Sequence, residues 1–154
     1  MSLLDLFRAY QADFDKTFAD DRWSRLERYF TEDAIYQTYG SMGRRTLGRD
    51  AIFRRLRREL DALDRRCKWR RVTTVGGLEV DGNRVLRNWV VTFHIDGATD
   101  LMIEGSERIT FEGERIAVLE EEPSESAERH LLAWMKFNPQ VFSRATERNG
   151  TSAD

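Results

Sequence analysis

The chain has 154 residues, with one cysteine, two histidines and two prolines, and its 25 basic and 27 acidic side chains leave a net charge of −2. That length suits one domain with a single core, one cysteine excludes an internal disulfide framework, and one cysteine with two histidines is too small a set for a structural zinc site. The start, Met1-Ser2-Leu3-Leu4-Asp5, shows no basic-then-apolar leader, and no run approaches the roughly 18 apolar residues of a membrane span, so a soluble cytoplasmic protein with no membrane partner is expected.

Leu3, Phe7, Tyr10, Phe14 and Phe18 recur at three- and four-residue steps, one face of a helix that Asp20-Asp21 should end. A short second helix is predicted with Trp23, Leu26 and Phe30 on one side, ended by Thr31-Glu32-Asp33. Ala34–Tyr39 reads as a strand rich in β-branched and aromatic residues. Gly40 to Gly48 is a glycine-rich loop. Asp50–Arg66 is the clearest helix, with Phe53, Leu56, Leu60, Leu63 and Cys67 as its apolar stripe. Arg54, Arg55, Arg57 and Arg58 fall mostly off that stripe. From Trp69 to Glu122 the pattern is strand and turn, with Asp81-Gly82-Asn83, Asp96-Gly97 and Glu112-Gly113-Glu114 at hairpin spacing. They separate the runs Leu78–Val80, Val85–Ile95, Leu101–Phe111 and Ile116–Glu121. Pro123 should stop the last strand, and Ser124 can cap a final helix carrying Leu131, Leu132 and Met135. The tail from Asn138 is polar and expected to fray. Helices followed by a long antiparallel sheet predict an α+β fold with helices on the concave side of the sheet and a pocket between them.

The small net charge hides a pattern. Residues 44–71 hold 12 basic and 4 acidic side chains, a surplus of +8, and residues 99–128 hold 2 basic and 10 acidic, a surplus of −8. If the long helix lies across the closing strands, Glu120, Glu121 and Glu122 are expected near its arginines. An arginine partner would hold Glu121 ionised. The alternative use of these arginines, a nucleic-acid patch, is disfavoured by the pI of 5.8 and the lack of an accompanying aromatic-basic motif. No nucleic-acid partner is expected.

Three stretches carry a family resemblance: Arg28-Tyr29-Phe30-Thr31-Glu32-Asp33-Ala34-Ile35-Tyr36, then Gly48-Arg49-Asp50-Ala51-Ile52, then Glu107-Arg108-Ile109-Thr110-Phe111-Glu112-Gly113-Glu114-Arg115-Ile116. In this order and spacing the chain resembles the SnoaL-like branch of the nuclear transport factor 2-like superfamily, over about residues 3–123. The resemblance implies a cone-shaped curved antiparallel sheet wrapped around a long helix, with N-terminal helices and a pocket at the open end. It implies a homodimer through the outer sheet face. Residues 1–123 would form the family domain, 124–137 an additional C-terminal helix and 138–154 a polar tail. Members include isomerases, epoxide hydrolases, dehydratases, polyketide cyclases and non-catalytic proteins, so the fold alone does not fix a reaction. Where ketosteroid isomerases place a general-base Asp and a Tyr donor, this chain has Thr38 and Phe14. The positions that match the Asp-Arg-Asp relay of limonene-epoxide hydrolases are Val91, Trp89 and Glu121, so only one ionisable member remains.

Strand parity then selects the residues facing the cone. With Tyr36 and Thr38 inward, the cavity set is Phe14, Phe18, Tyr36, Thr38, Phe53, Trp89, Val91, Phe93, Glu107, Ile109, Leu119 and Glu121. Glu121 and Glu107 are candidate acid–base catalysts, since a carboxyl in an apolar pocket has a raised pKa. Tyr36 is a candidate for orienting a substrate. Phe14, Phe18, Thr38, Phe53, Trp89 and Phe93 are the candidate ligand-binding set, suited to a small apolar or aromatic molecule. His94 falls on the outer face, and Cys67 reads as core. There is no GxSxG, P-loop or Rossmann fingerprint, and no metal or other cofactor is expected. A cofactor-independent isomerase, cyclase or hydratase and a non-catalytic dimeric binding module both remain open.

Overall fold

The computed structural model describes residues 1–141. Helix α1 spans Leu3–Asp20; Ser2 caps it by accepting the Asp5 N–H at 3.2 Å, and Asp21 ends it in the left-handed region at φ 59°. A 3-10 turn, Trp23–Tyr29, replaces the expected short α-helix. Phe30 no longer belongs to it: strand β1 runs from Phe30 to Thr38, four residues earlier than the pattern suggested. Thr31-Glu32-Asp33 therefore lies within the strand, in the stretch where its register with the last strand shifts. The glycine-rich loop contains a short strand, β2 (Arg45–Leu47), paired antiparallel with β1.

Helix α2 spans Arg49–Ala62 and is followed by a separate 3-10 turn, Asp64–Arg66. Gly48 precedes α2 at φ 97°, a conformation that favours glycine, while its N–H donates to the Ala34 carbonyl at 2.8 Å. The remaining strands are β3 (Trp69–Asp81), β4 (Arg84–His94), β5 (Leu101–Glu112) and β6 (Arg115–Pro123), and helix α3 spans Glu125–Phe137. Strand β3 is much longer than the Leu78–Val80 run.

The six strands form one sheet in the order β2-β1-β6-β5-β4-β3. The expected α+β cone architecture is present, but the sheet is mixed: β1 pairs parallel with β6, and every other pair is antiparallel. One apolar cluster joins α1, the first 3-10 turn and α2 to the sheet through residues such as Phe7, Leu26, Phe30, Ile52, Ile109 and Ile116. A second cluster lies farther along the cone, where Trp134 and Val141 pack with Val91, Phe93 and Leu101.

The final helix is present as expected, and the first residues of the tail expected to fray pack down, with Asn138 and Val141 buried. Ala127 and Trp134 are the buried residues of α3, whereas Leu132 and Met135 are exposed. Trp134 donates its indole N–H to the Thr99 carbonyl at 2.6 Å, and the side chain of Asn138 bonds to Thr99 Oγ1 and to the Trp134 carbonyl. The part of the predicted tail beyond residue 141 lies outside the described residues.

Candidate active site

A cavity of about 720 Å³ opens between α1, α2 and the concave sheet face. Strand alternation brings inward-facing side chains from β1, β4, β5 and β6 into it. Tyr36 enters from β1, Leu119 and Glu121 from β6, and Glu107 from β5. Strand β4 contributes Arg87, Trp89, Val91 and Phe93, and α1 contributes Tyr10, Phe14 and Phe18. Aromatic and aliphatic side chains make up about half of the wall, and its ionisable groups fall in two places: Arg87, Glu107, Glu121 and Glu59 around Tyr36, and Asp64, Arg70, Arg71 and Asp15 toward β3 and α1, where Arg70 Nε lies 3.4 Å from Asp64 Oδ2.

Glu107 and Glu121 are direct cross-strand partners on β5 and β6. Side chains so paired share a face and approach within about 5 Å at Cβ. Arg87 reaches Glu107 from β4, with its Nε 2.7 Å from Glu107 Oε1, and both side chains are nearly buried. Glu121 instead accepts a hydrogen bond from the Tyr36 hydroxyl at 2.8 Å. Burial raises the pKa of both carboxyls, and the Arg87 charge opposes that rise at Glu107. At Glu121 burial and the neighbouring Glu107 charge push the value up to about 7, against a smaller lowering by the Tyr36 hydrogen bond. Burial and the adjoining carboxylates also raise the Tyr36 phenol well above its usual value, so it remains a protonated donor near neutrality. The arrangement at neutral pH is an arginine-held carboxylate beside a carboxyl poised to give or take a proton.

The expected arginine partner for Glu121 is therefore absent from α2. Arg55, the one buried arginine of that helix, turns inward contrary to its off-stripe position. Its Nε binds Glu59 Oε1 at 2.7 Å, its Nη1 donates to the Arg44 carbonyl at 3.0 Å, and its Nη2 donates to Thr38 Oγ1 at 2.7 Å. Its guanidinium also lies 4.2 Å from the centroid of the Tyr36 ring. Glu120 pairs with Arg108 within its own sheet instead, at 2.9 Å.

The structure brings Glu107, Glu121, Tyr36, Phe14, Phe18, Trp89 and Phe93 together on the cavity wall. It places the other two sequence-selected residues elsewhere. Phe53 is core, with its ring centroid 5.3 Å from that of Phe30 and 5.8 Å from that of Trp23. Thr38 is held by Arg55 and accepts from the Arg44 N–H. Arg87 and Glu59 were not selected. Arg87 was detectable by parity, two residues before Trp89 on the same strand face. Glu59 was legible only as a neighbour of Leu60 on α2. Cys67 donates to the Leu63 carbonyl at 3.4 Å and its thiol is pushed up to about 11, chiefly by burial, which fits a packing role. His94 stacks on Trp69 and bonds Asp100 at 2.6 Å, away from the cavity. Among the described residues no group of three or more His, Cys, Asp or Glu side chains is arranged to hold a metal.

The profile of the SnoaL-like domain matches residues 10–119. The chain belongs to the SnoaL-like family. No curated protein matches it. Solved structures of the same fold include a Mycobacterium tuberculosis epoxide hydrolase of the limonene-epoxide-hydrolase-like type, 16% identical over 82% of this chain and 90% of that one, with a TM-score of 0.59. A Catenulispora acidiphila protein of ketosteroid-isomerase-like fold, solved in complex with trimethylamine, is 22% identical over 72% and 82%, with a TM-score of 0.55. TerC, co-crystallised with polyporic acid, is 14% identical over 84% and 97%, with a TM-score of 0.63. At these identities the likeness extends to the fold. The ionisable set of this SnoaL-like chain must be read from its own geometry.

Proposed function

We infer that this SnoaL-like protein binds a small, mostly apolar molecule in the cone cavity and moves a proton on it without a cofactor, as an isomerase, cyclase or hydratase. The observation that carries this reading is the buried cross-strand pair Glu107–Glu121, unequally partnered by Arg87 and Tyr36. Unequal partners separate the two carboxyls into an acid and a base, which is the arrangement acid–base chemistry needs near neutrality. Glu121 gives its proton to the ligand's acceptor oxygen and, as the carboxylate so formed, takes one back from the ligand carbon or the attacking water; Tyr36 orients that oxygen, and the Arg87–Glu107 pair balances the charge on Glu121 in between. Trp89, Phe14, Phe18 and Phe93 hold a flat body against the wall. The fold's occurrence in an epoxide hydrolase and in proteins crystallised with small ligands supports a small-molecule site.

We also infer a homodimer through the outer sheet face, where Val75 and Met102 remain 49% and 55% exposed. No helix among the described residues is long and apolar enough to cross a membrane.

The test is a panel of flat ketones, enones and aryl epoxides. Tetralone is followed for deuterium exchange in D2O by NMR, and styrene oxide for diol formation. Turnover of at least one member should fall about a hundredfold in Glu121→Gln. Binding with no turnover that depends on Glu121 would establish the alternative, a non-catalytic binding module, which the absence of the ketosteroid-isomerase groups at Phe14 and Thr38 favours.

A further inference from the structure

The Tyr36 hydroxyl faces two carboxylates. It lies 2.8 Å from Glu121 Oε2 and 3.4 Å from Glu59 Oε2. Glu121 is half-buried on the cavity wall, whereas the Glu59 side chain is 47% exposed. Arg55 Nε binds the other Glu59 oxygen at 2.7 Å, which fixes the carboxylate and leaves Oε2 turned to Tyr36. Arg55 also packs over the Tyr36 ring, so a single buried guanidinium positions both members. Both Glu59 and Tyr36 line the cavity.

From this geometry we propose that Glu59 is a proton-relay residue, passing protons between solvent and Glu121 through the Tyr36 hydroxyl. The proposal rests on the acid–base reading of the cavity and extends it. In the reloading direction a solvent proton adds to Glu59 Oε2. Glu59 gives its proton to Tyr36 Oη as the Tyr36 O–H proton passes to Glu121 Oε2. One proton enters, one arrives, Tyr36 is unchanged, and no electrons are exchanged. An apolar ligand that fills the cone expels the water that could otherwise reload Glu121 directly, so the relay matters most in the occupied protein. Glu59 reaches the reacting centre only through Tyr36, which makes it a positioning and relay group.

The experiment uses the full chain with its tyrosine rings carbon-13 labelled and the cavity filled by naphthamide, a neutral flat probe. Binding is read from the shift of the Trp89 indole N–H, and exchange of the Tyr36 hydroxyl proton with water is measured by NMR. Tyr36→Phe assigns the signal. In Glu59→Gln, exchange should slow about a hundredfold, the lower end of what a positioned acid–base group contributes. Glu59→Asp, which keeps a titratable carboxyl, should recover part of the rate. Equal exchange in wild type and Glu59→Gln with the probe bound overturns the relay and leaves the cavity reading intact. Equal slowing in Gln and Asp variants also overturns it, because that pattern reports packing. Failure of naphthamide to bind overturns the cavity reading and the relay together.

Discussion

Glu107 and Glu121 stand opposite one another on adjacent strands, yet only Glu107 has an arginine. The asymmetry decides which of two buried carboxyls keeps its proton. Two ionised carboxylates at this separation in an apolar site repel strongly. Arg87 offsets that cost at Glu107, so the proton stays on Glu121.

The first prediction concerns pH. The pKa of Glu121 is raised in the folded chain to about 7, mainly by burial. Between the unfolded carboxyl value and pH 7 the native state therefore binds more protons than the unfolded state, and stability falls as the pH rises through that window. The loss is on the order of 3 kcal/mol when complete. Urea melts at pH 5 and pH 8 should show this decline in the wild type. Glu121→Gln should flatten the profile, and a slope unchanged by that substitution would refute the assignment.

The second prediction isolates Arg87. Replacing it with Met leaves the Glu107 charge buried without its partner, a change that costs about 3–5 kcal/mol. The cost should shrink at pH 5, where Glu107 can take up a proton. A double variant, Arg87→Met with Glu107→Gln, should recover most of the loss at pH 8. The cycle is read from denaturant midpoints, and additive losses would show that the pair is not coupled.

Much of this site was legible from alternation alone. Once the inward faces of β1 and β4 are chosen, parity places Tyr36, Trp89, Val91 and Phe93 inward. The charge pattern was less informative. A surplus of arginine on 44–71 beside a surplus of acid on 99–128 suggested pairing between the long helix and β6. Arg55 instead spends its donors on Glu59, Thr38 and the Arg44 carbonyl. Those partners belong to the β1–β2 hairpin and to α2 itself, and β2 is a three-residue strand with no periodicity to read. The parallel β1–β6 pairing was hidden for a related reason: hydrophobic alternation reports which face a residue takes and is silent on the direction of its neighbour. Phe53 shows the same limit in a helix. An apolar stripe identifies what is buried without separating core from cavity wall.

The third prediction tests the cavity wall. Gly105 on β5 pairs with Trp89 on β4. A Cβ at residue 105 would lie 2.5 Å from Trp89 Cζ2 and 2.8 Å from the Glu122 carbonyl. The glycine thus makes room for the indole. Gly105→Ala should displace the ring, destabilise the fold by about 1–3 kcal/mol and weaken naphthamide binding. Unaltered binding and an unaltered indole N–H shift would show that the ring has other room.

The fourth prediction addresses assembly. Met102 sits on the outer face, opposite Thr92 in the β4–β5 pair. A homodimer through that face would bury it. Met102→Arg should convert a dimer to a monomer in light scattering while leaving the thermal transition of the monomer cooperative. A wild-type monomer at all concentrations would remove the outer-face dimer.

The fifth prediction concerns α3. Its Trp134 and Leu131 pack with Val91, Phe93 and Leu101 of the sheet. Trp134 anchors it through a buried ring and the hydrogen bond to Thr99, while Glu128 accepts from the Ser41 N–H and hydroxyl at 2.8 Å each. Trp134→Phe keeps most of the apolar area and removes the N–H, so it should cost about 1 kcal/mol. Trp134→Ala leaves a cavity as well and should cost about 3–5 kcal/mol. Ending the chain after Pro123 should expose the Val91–Phe93–Leu101 patch and raise binding of a hydrophobic dye. If the truncated chain instead stays dye-silent and merely changes mass in solution, α3 acts as an intersubunit element, because the patch beneath it would then have found cover from a second copy.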